Sequence, residues 1–188
     1  MTLEEALDAH LVGDGDLVLF RGKSWVASAI QQLGRGEYSH AGMIVYWQGD
    51  PMLLEVREWY GGRAVTLASQ VERYPGAIDI FEVNPSNRWP DYQKPPAARV
   101  MRRLAGGAYG YASVLQAALY RLPLFRWWQT PPTDEQQLTS SRPPFCSEAV
   151  AMACRTGGVD PVPHLSDRLT EPNDLARSPF FRKRVTLH

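Results

Sequence analysis

The stretch Pro143-Pro144-Phe145-Cys146-Ser147-Glu148-Ala149-Val150-Ala151-Met152 organises the chain. Its prolines suit the start of a helix and not the interior. From Cys146 on, Val150, Ala153 and Cys154 recur at about one helical turn, which predicts a helix with a cysteine in its first turn. The N–H groups of a first turn lack intrahelical partners, and the macrodipole puts partial positive charge there. A thiol at that end loses its proton more readily, and the thiolate is the nucleophile. Cys146 is thus the first chemical candidate. The plain alternative is a buried small hydrophobe, the commoner fate of a free cysteine. The choice depends on whether the chain supplies a base.

Downstream of this stretch, Gly157-Gly158 closes the helix, and a tail with Pro161, Pro163, Pro172 and Pro179 is expected to wrap the surface. A short helical turn is predicted near Asn173-Asp174-Leu175, and Arg182-Lys183-Arg184 reads as a solvated tail. Upstream lies an irregular segment, Pro123 to Pro144, with prolines at 123, 131, 132, 143 and 144 and the Trp127-Trp128 pair. A loop of that length in a compact domain is usually functional or disordered, so it reads as a lid or substrate wall, or as a surface insertion. Before it come helices at Tyr111 to Arg121 and Ala97 to Leu104, the latter with Arg99, Arg102 and Arg103 on its wet side.

The N-terminal half reads differently. A short helix from Thr2 to His10 has Thr2 and Glu5 in capping-box spacing. Asp16 to Phe20 is a buried strand candidate, and Ser24 caps a helix carrying Val26, Ile30 and Leu33. Ser39 to Trp47, Met52 to Glu58, Arg63 to Leu67 and Ala77 to Val83 read as strands, with turns at Gln48-Gly49-Asp50-Pro51 and Gly61-Gly62. Short turns favour antiparallel pairing. The expectation is an α+β fold, an antiparallel meander of about five strands packed on helices, as one domain spanning residues 1–188.

Composition excludes several classes. The 188 residues suffice for one domain with a core, and 44% hydrophobic content argues against general disorder. Lys+Arg and Asp+Glu balance at 20 each, so nothing points to nucleic acid. Cys146 and Cys154 lie two turns apart on one helix, about 12 Å by rise alone, too far to bridge. The acidic N-terminus lacks signal-peptide features, and no apolar run approaches a membrane span. As written, the chain reads as cytoplasmic, unless a leader was trimmed or export uses another route.

A cysteine nucleophile needs a base and a group to orient that base. His10 and His188 read as bystanders, and His164 lies among prolines. His40 stands early in a strand, where small Ala41-Gly42 leave room beside the imidazole. Across the hairpin, Glu55 falls within the apolar run Met52-Leu53-Leu54-Glu55-Val56. A buried carboxylate is costly unless paired, and the Nδ1–H of His40 would account for it. Glu58, near His40 but among charged and aromatic neighbours, is the alternative; Glu55 is preferred on burial. Strand register is not fixed by sequence. Tyr109 and Tyr111 either pack at a helix start or bring a hydroxyl to an oxyanion.

In order, Gly15-Asp16-Leu17-Val18-Leu19, Ser39-His40-Ala41-Gly42-Met43-Ile44-Val45, Leu54-Glu55-Val56, Tyr109-Gly110-Tyr111 and Phe145-Cys146-Ser147-Glu148 resemble the circularly permuted papain-like hydrolases. These belong to the NlpC-type superfamily of cell-wall peptidases and amidases, in the YiiX-like branch related to lecithin retinol acyltransferase. The resemblance runs from about Gly15 to Phe181 and takes in the tail Glu171-Pro172-Asn173-Asp174-Leu175-Ala176-Arg177-Ser178. In that branch the histidine strand precedes the cysteine helix, as His40 precedes Cys146. The resemblance implies a permuted papain-like fold with Cys146 as nucleophile, His40 as base and Glu55 as orienting acid. The chain departs from the family at Val56, where a small residue more often follows the glutamate, and in the Trp/Pro-rich insertion.

The implied activity is cysteine hydrolysis of an amide bond through a thioester, with no metal or cofactor and with a peptide, cell-wall fragment or acyl-lipid as substrate. Two alternatives stand beside it: a lipid acyltransferase or phospholipase-like thiol enzyme, and a binding module that keeps the fold without catalysis. A metal site of His40, Cys146, His164 and Asp167 matches no standard zinc spacing.

Overall fold

The computed structural model describes residues 1–22, 36–57, 59–86, 88–108 and 143–188. Helix α1 (Leu3–Asp8) opens the chain, with the reciprocal Thr2 and Glu5 cap that its spacing predicts. Strands β1 (Leu17–Arg21), β2 (His40–Trp47), β3 (Asp50–Arg57) and β4 (Gly61–Thr66) follow. Helix α2 (Leu67–Arg73) then carries the chain to β5 (Ala77–Val83). Helix α3 (Lys94–Leu104), helix α4 (Cys146–Thr156), a 3-10 turn (Asp167–Leu169), helix α5 (Pro172–Arg177) and strand β6 (Phe181–Leu187) complete the order.

The strands form one antiparallel sheet in the order β4-β3-β2-β1-β5-β6. Side chains alternate across each strand, so the sheet has two apolar faces. Leu17, Leu19, Ala41, Met43, Val45, Leu54 and Phe81 pack against α3 and α4. Val18, Phe20, Ile44, Leu53, Ile78 and Ile80 pack with Ala6 of α1 and Leu67 of α2. The α4 sequence is rich in small residues, and Ala149, Val150, Ala153 and Cys154 are all fully buried. That composition lets the helix lie close on the sheet. Arg99, Arg102 and Arg103 of α3 are exposed as expected.

Three sequence expectations are corrected. The tail forms the expected helical turn as α5 but ends in a sixth strand, and its basic run is paired: Lys183 Nζ lies 3.0 Å from Asp79, and Arg182 and Arg184 meet Glu82. Gly61 and Gly62 are not a turn but the first residues of β4, paired with Arg57 and Val56. A Cβ on either would stand 1.9 or 1.7 Å from the carbonyl oxygens of Gly107 and Leu104, so the pair exists for close backbone approach. The β2–β3 turn is tighter than expected. Trp47 pairs with Asp50, and Gln48 and Gly49 both take positive φ (53° and 95°), as a two-residue hairpin turn requires. The expected helices from Ser24 and from Tyr111, and residues 123–142 of the Pro/Trp-rich segment, lie outside the described residues. No helix among the described residues is long and apolar enough to cross a membrane.

Candidate active site

His40 is the first residue of β2, and Cys146 is the first residue of α4. Helix α4 lies on β2 and β3, which brings the two element starts together. The His40 ring sits 5.2 Å from the Phe20 ring on the neighbouring strand, tilted by 54°. Its Nε2 lies 2.5 Å from Glu55 Oε2. Glu55 reaches it from β3, directly across from Gly42. Here Gly42 is a steric necessity: a Cβ there would meet Leu53 Cδ1 at 2.7 Å, the Leu54 carbonyl at 3.0 Å and Glu55 Cβ at 3.2 Å.

The nitrogen facing Glu55 is Nε2, not the Nδ1 expected from sequence. That leaves Nδ1 as the ring position for a second partner. The Cys146 side chain interacts with the same imidazole, both as a hydrogen-bond partner and electrostatically. Cys146 itself is buried among Phe145 and Leu169. Glu148 reaches back to the Phe145 N–H at 3.2 Å, and the Ser147 hydroxyl donates to the Thr170 carbonyl at 2.8 Å. These two contacts tie down the helix start that carries the thiol, and the acidic Glu148 suits the positive end of the helix.

Sequence reasoning missed Arg63. Its Nε donates to Glu55 Oε1 at 2.7 Å, and its Nη2 lies 2.5 Å from the same oxygen. Arg57 Nη1 stands 3.8 Å from that oxygen and donates to Gln70 of α2 at 3.2 Å. Arg63 is Glu55's cross-strand partner, so the missing signal was register. One Glu55 oxygen therefore faces the imidazole and the other faces guanidinium groups.

The charges follow. Burial alone would push the imidazole down, but the Glu55 carboxylate beside it, aided by Cys146, raises His40 to about 9. Burial would push Glu55 up, but His40 and Arg63 hold it down at about 2. A cationic imidazole between a carboxylate and a thiol can keep a fixed orientation, stabilise an anionic sulfur and pass a proton. Burial pushes the Cys154 thiol up, to about 12.

Of the residues expected from sequence, Cys146, His40 and Glu55 come together. Glu58, Tyr109 and Tyr111 lie outside the described residues. His10, His164 and His188 are exposed, and Asp167 is engaged by Arg155 at 2.6 Å.

No known family model matches the chain, and no curated protein matches it. Among solved structures it is similar to the metalloprotein YiiX from Escherichia coli O157:H7 (DUF1105). That match has a TM-score of 0.64 and 15% sequence identity, and covers 93% of this chain and 97% of the other. The chain has a YiiX-like fold. The likeness at this identity is one of fold.

Proposed function

We propose that this chain is a cysteine hydrolase of the permuted papain-like, NlpC-type kind, cleaving an amide bond by acyl transfer to water. The observation that carries the reading is the His40 imidazole bound by Glu55 at 2.5 Å while its ring also engages Cys146. In this reading His40 takes the Cys146 proton, or the two rest as an ion pair. The sulfur attacks the carbonyl carbon, a C–S bond forms, and negative charge moves to the carbonyl oxygen. The backbone N–H at the start of α4 supports that oxygen. Collapse breaks the C–N bond, and His40 gives its proton to the departing amine. His40 then takes a proton from water, the hydroxyl attacks the thioester, and the C–S bond breaks to return the thiolate. Glu55 holds the ring and favours its charged form, and Arg63 holds Glu55.

YiiX is described as a metalloprotein, and a metal at the corresponding place in this chain would have to be held by His40, Glu55 and Cys146. They do not fit one. His40 Nε2 and Glu55 Oε2 face each other, and the Arg63 guanidinium occupies the cationic side of the same carboxylate. Among the described residues no group of three or more His, Cys, Asp or Glu could hold a metal ion.

The test is alkylation of native protein by iodoacetamide at pH 7, with fully buried Cys154 as the inert internal reference. Cys146 is expected to react first, and His40→Ala is expected to slow it by about tenfold or more. Equal Cys146 rates in wild type and His40→Ala would overturn the reading. A screen of peptidoglycan fragments, isopeptides and acyl-lipids against wild type and Cys146→Ala would then separate amidase from lipid-directed chemistry.

A further inference from the structure

The C-terminal segment reaches both halves of the site. Thr170 offers its carbonyl to the Ser147 hydroxyl at 2.8 Å, one residue from Cys146. Three residues on, Asn173 Oδ1 accepts from the Tyr38 N–H, and its Nδ2 donates to the Tyr38 carbonyl, both at 3.0 Å. Tyr38 stands two residues before His40. Asn173 thus takes both backbone polar groups of a residue 135 positions away, and all of these contacts are buried. Gly36 makes the approach feasible: a Cβ there would lie 2.2 Å from Asn173 Oδ1.

An asparagine near a helix start ordinarily serves its own helix. Here that work falls to Asp174, whose Oδ2 accepts from the Glu171 N–H at 2.9 Å. The Asn173 side chain is turned to the strand instead. The start of α4 and the start of β2 belong to elements far apart in sequence, and each end of an element is where fraying begins. A short segment bonded to both ends fixes one against the other.

We propose that Asn173, together with the Thr170 carbonyl, is a positioning device that sets the separation of the Cys146 sulfur and the His40 imidazole. The inference rests on the thiol–imidazole reading above. It makes Asn173 a positioning residue that acts through His40, without touching substrate.

The experiment follows the rate of Cys146 alkylation by iodoacetamide against pH, together with thermal unfolding. The proteins are wild type, Asn173→Ala, His40→Ala and the double variant. Asn173→Ala is expected to lower the rate at pH 7 by about tenfold, with a pH profile moved toward that of His40→Ala. In the His40→Ala background it is expected to change nothing. A residue that only stabilises the fold would lower the melting temperature and leave the pH profile in place. A folded Asn173→Ala with the wild-type profile overturns the inference, as does an equal effect in the His40→Ala background. Should Asn173→Ala not fold, Ser147→Ala tests the other arm: a smaller drop, absent without His40, is expected, and no drop overturns it. An unchanged profile in His40→Ala alone removes the thiol–imidazole reading, and this inference with it.

Discussion

A carboxylate buried as fully as that of Glu55 is costly to ionise unless cations meet it, and here His40 and Arg63 bind it directly while Arg57 stands 3.8 Å away. His40 and Arg63 take one oxygen each, and the charged forms of Glu55 and His40 favour each other. The pH consequence has a definite sign. Glu55 is held below its ordinary 4.5, at about 2, so its contribution to stability is whole above 4.5 and is lost as pH falls through about 2. His40 is raised from 6.5 to about 9, so its contribution is whole below 6.5 and is lost as pH rises through about 9. Glu55→Gln should therefore destabilise most between pH 4.5 and 6.5, by about 3 kcal/mol, the cost of breaking a buried pair from one side. The gap to wild type should narrow at both extremes, as read by urea unfolding across pH. A gap that stays constant from pH 3 to pH 9 would refute the coupling. At this scale the sequence was informative about chemistry and silent about register. A glutamate within an apolar run and a histidine beside two small residues both call for partners, and each proved to be the other's. Arg63 carried no such mark, because its place opposite Glu55 depends on a pairing the sequence leaves open.

Elements were legible where the polarity pattern was clean. The five strands before residue 84 have apolar runs bounded by turn residues, and all five form. The sixth does not look like a strand, because Arg182, Lys183 and Arg184 break the alternation. The reason is a register shift: Val185 pairs with Ile80 but Lys183 pairs with Phe81, so Arg184 is an extra residue opposite none. A bulge hides period two from any reading of the sequence, and charged residues on an edge strand also guard it against pairing with another chain. Helix α2 was missed for a different cause: only Leu67 and Gln70 of its seven residues are buried, too few to show a helical stripe. The element on which the site depends most is the β2–β3 hairpin, where Gly42 faces Glu55. Gly42→Val should press on Leu53 and Glu55, costing about 1–3 kcal/mol by overpacking, and should also slow Cys146 alkylation by displacing the carboxylate from His40. Urea unfolding and the alkylation rate check the two effects separately. A Gly42→Val protein as stable and as reactive as wild type would show that the close contact is slack.

Across the whole molecule, a second buried charge ties together the strands at the β5–β6 end of the sheet, and its reach extends to the site. Asp79 of β5 is fully buried and receives Tyr38 Oη at 2.7 Å, Thr186 Oγ1 at 2.5 Å, Arg21 Nη2 at 3.2 Å and Lys183 Nζ at 3.0 Å. Burial would raise its pKa, but the Thr186, Tyr38 and Lys183 contacts outweigh that and lower it. One carboxylate thus binds β1, the lead-in to β2, β5 and β6 to each other. Tyr38 is the shared member: Asp79 holds its hydroxyl while Asn173 holds its backbone. Removing Asp79 takes the acceptor from the buried Tyr38 hydroxyl and the carboxylate from partly exposed Arg21 and Lys183, so Asp79→Ala should cost about 3 kcal/mol. Tyr38→Phe removes a single hydrogen bond to a charged group and should cost about 1.5–3 kcal/mol. The two losses overlap, since the tyrosine hydroxyl has nothing to donate to once Asp79 is gone. In a double-mutant cycle read by urea unfolding, Tyr38→Phe should therefore be nearly silent in the Asp79→Ala background, with a coupling of about 1–3 kcal/mol. Additive losses would mean that the Tyr38 hydroxyl is stabilised independently of Asp79, and that the segment leading to His40 is not anchored through that carboxylate.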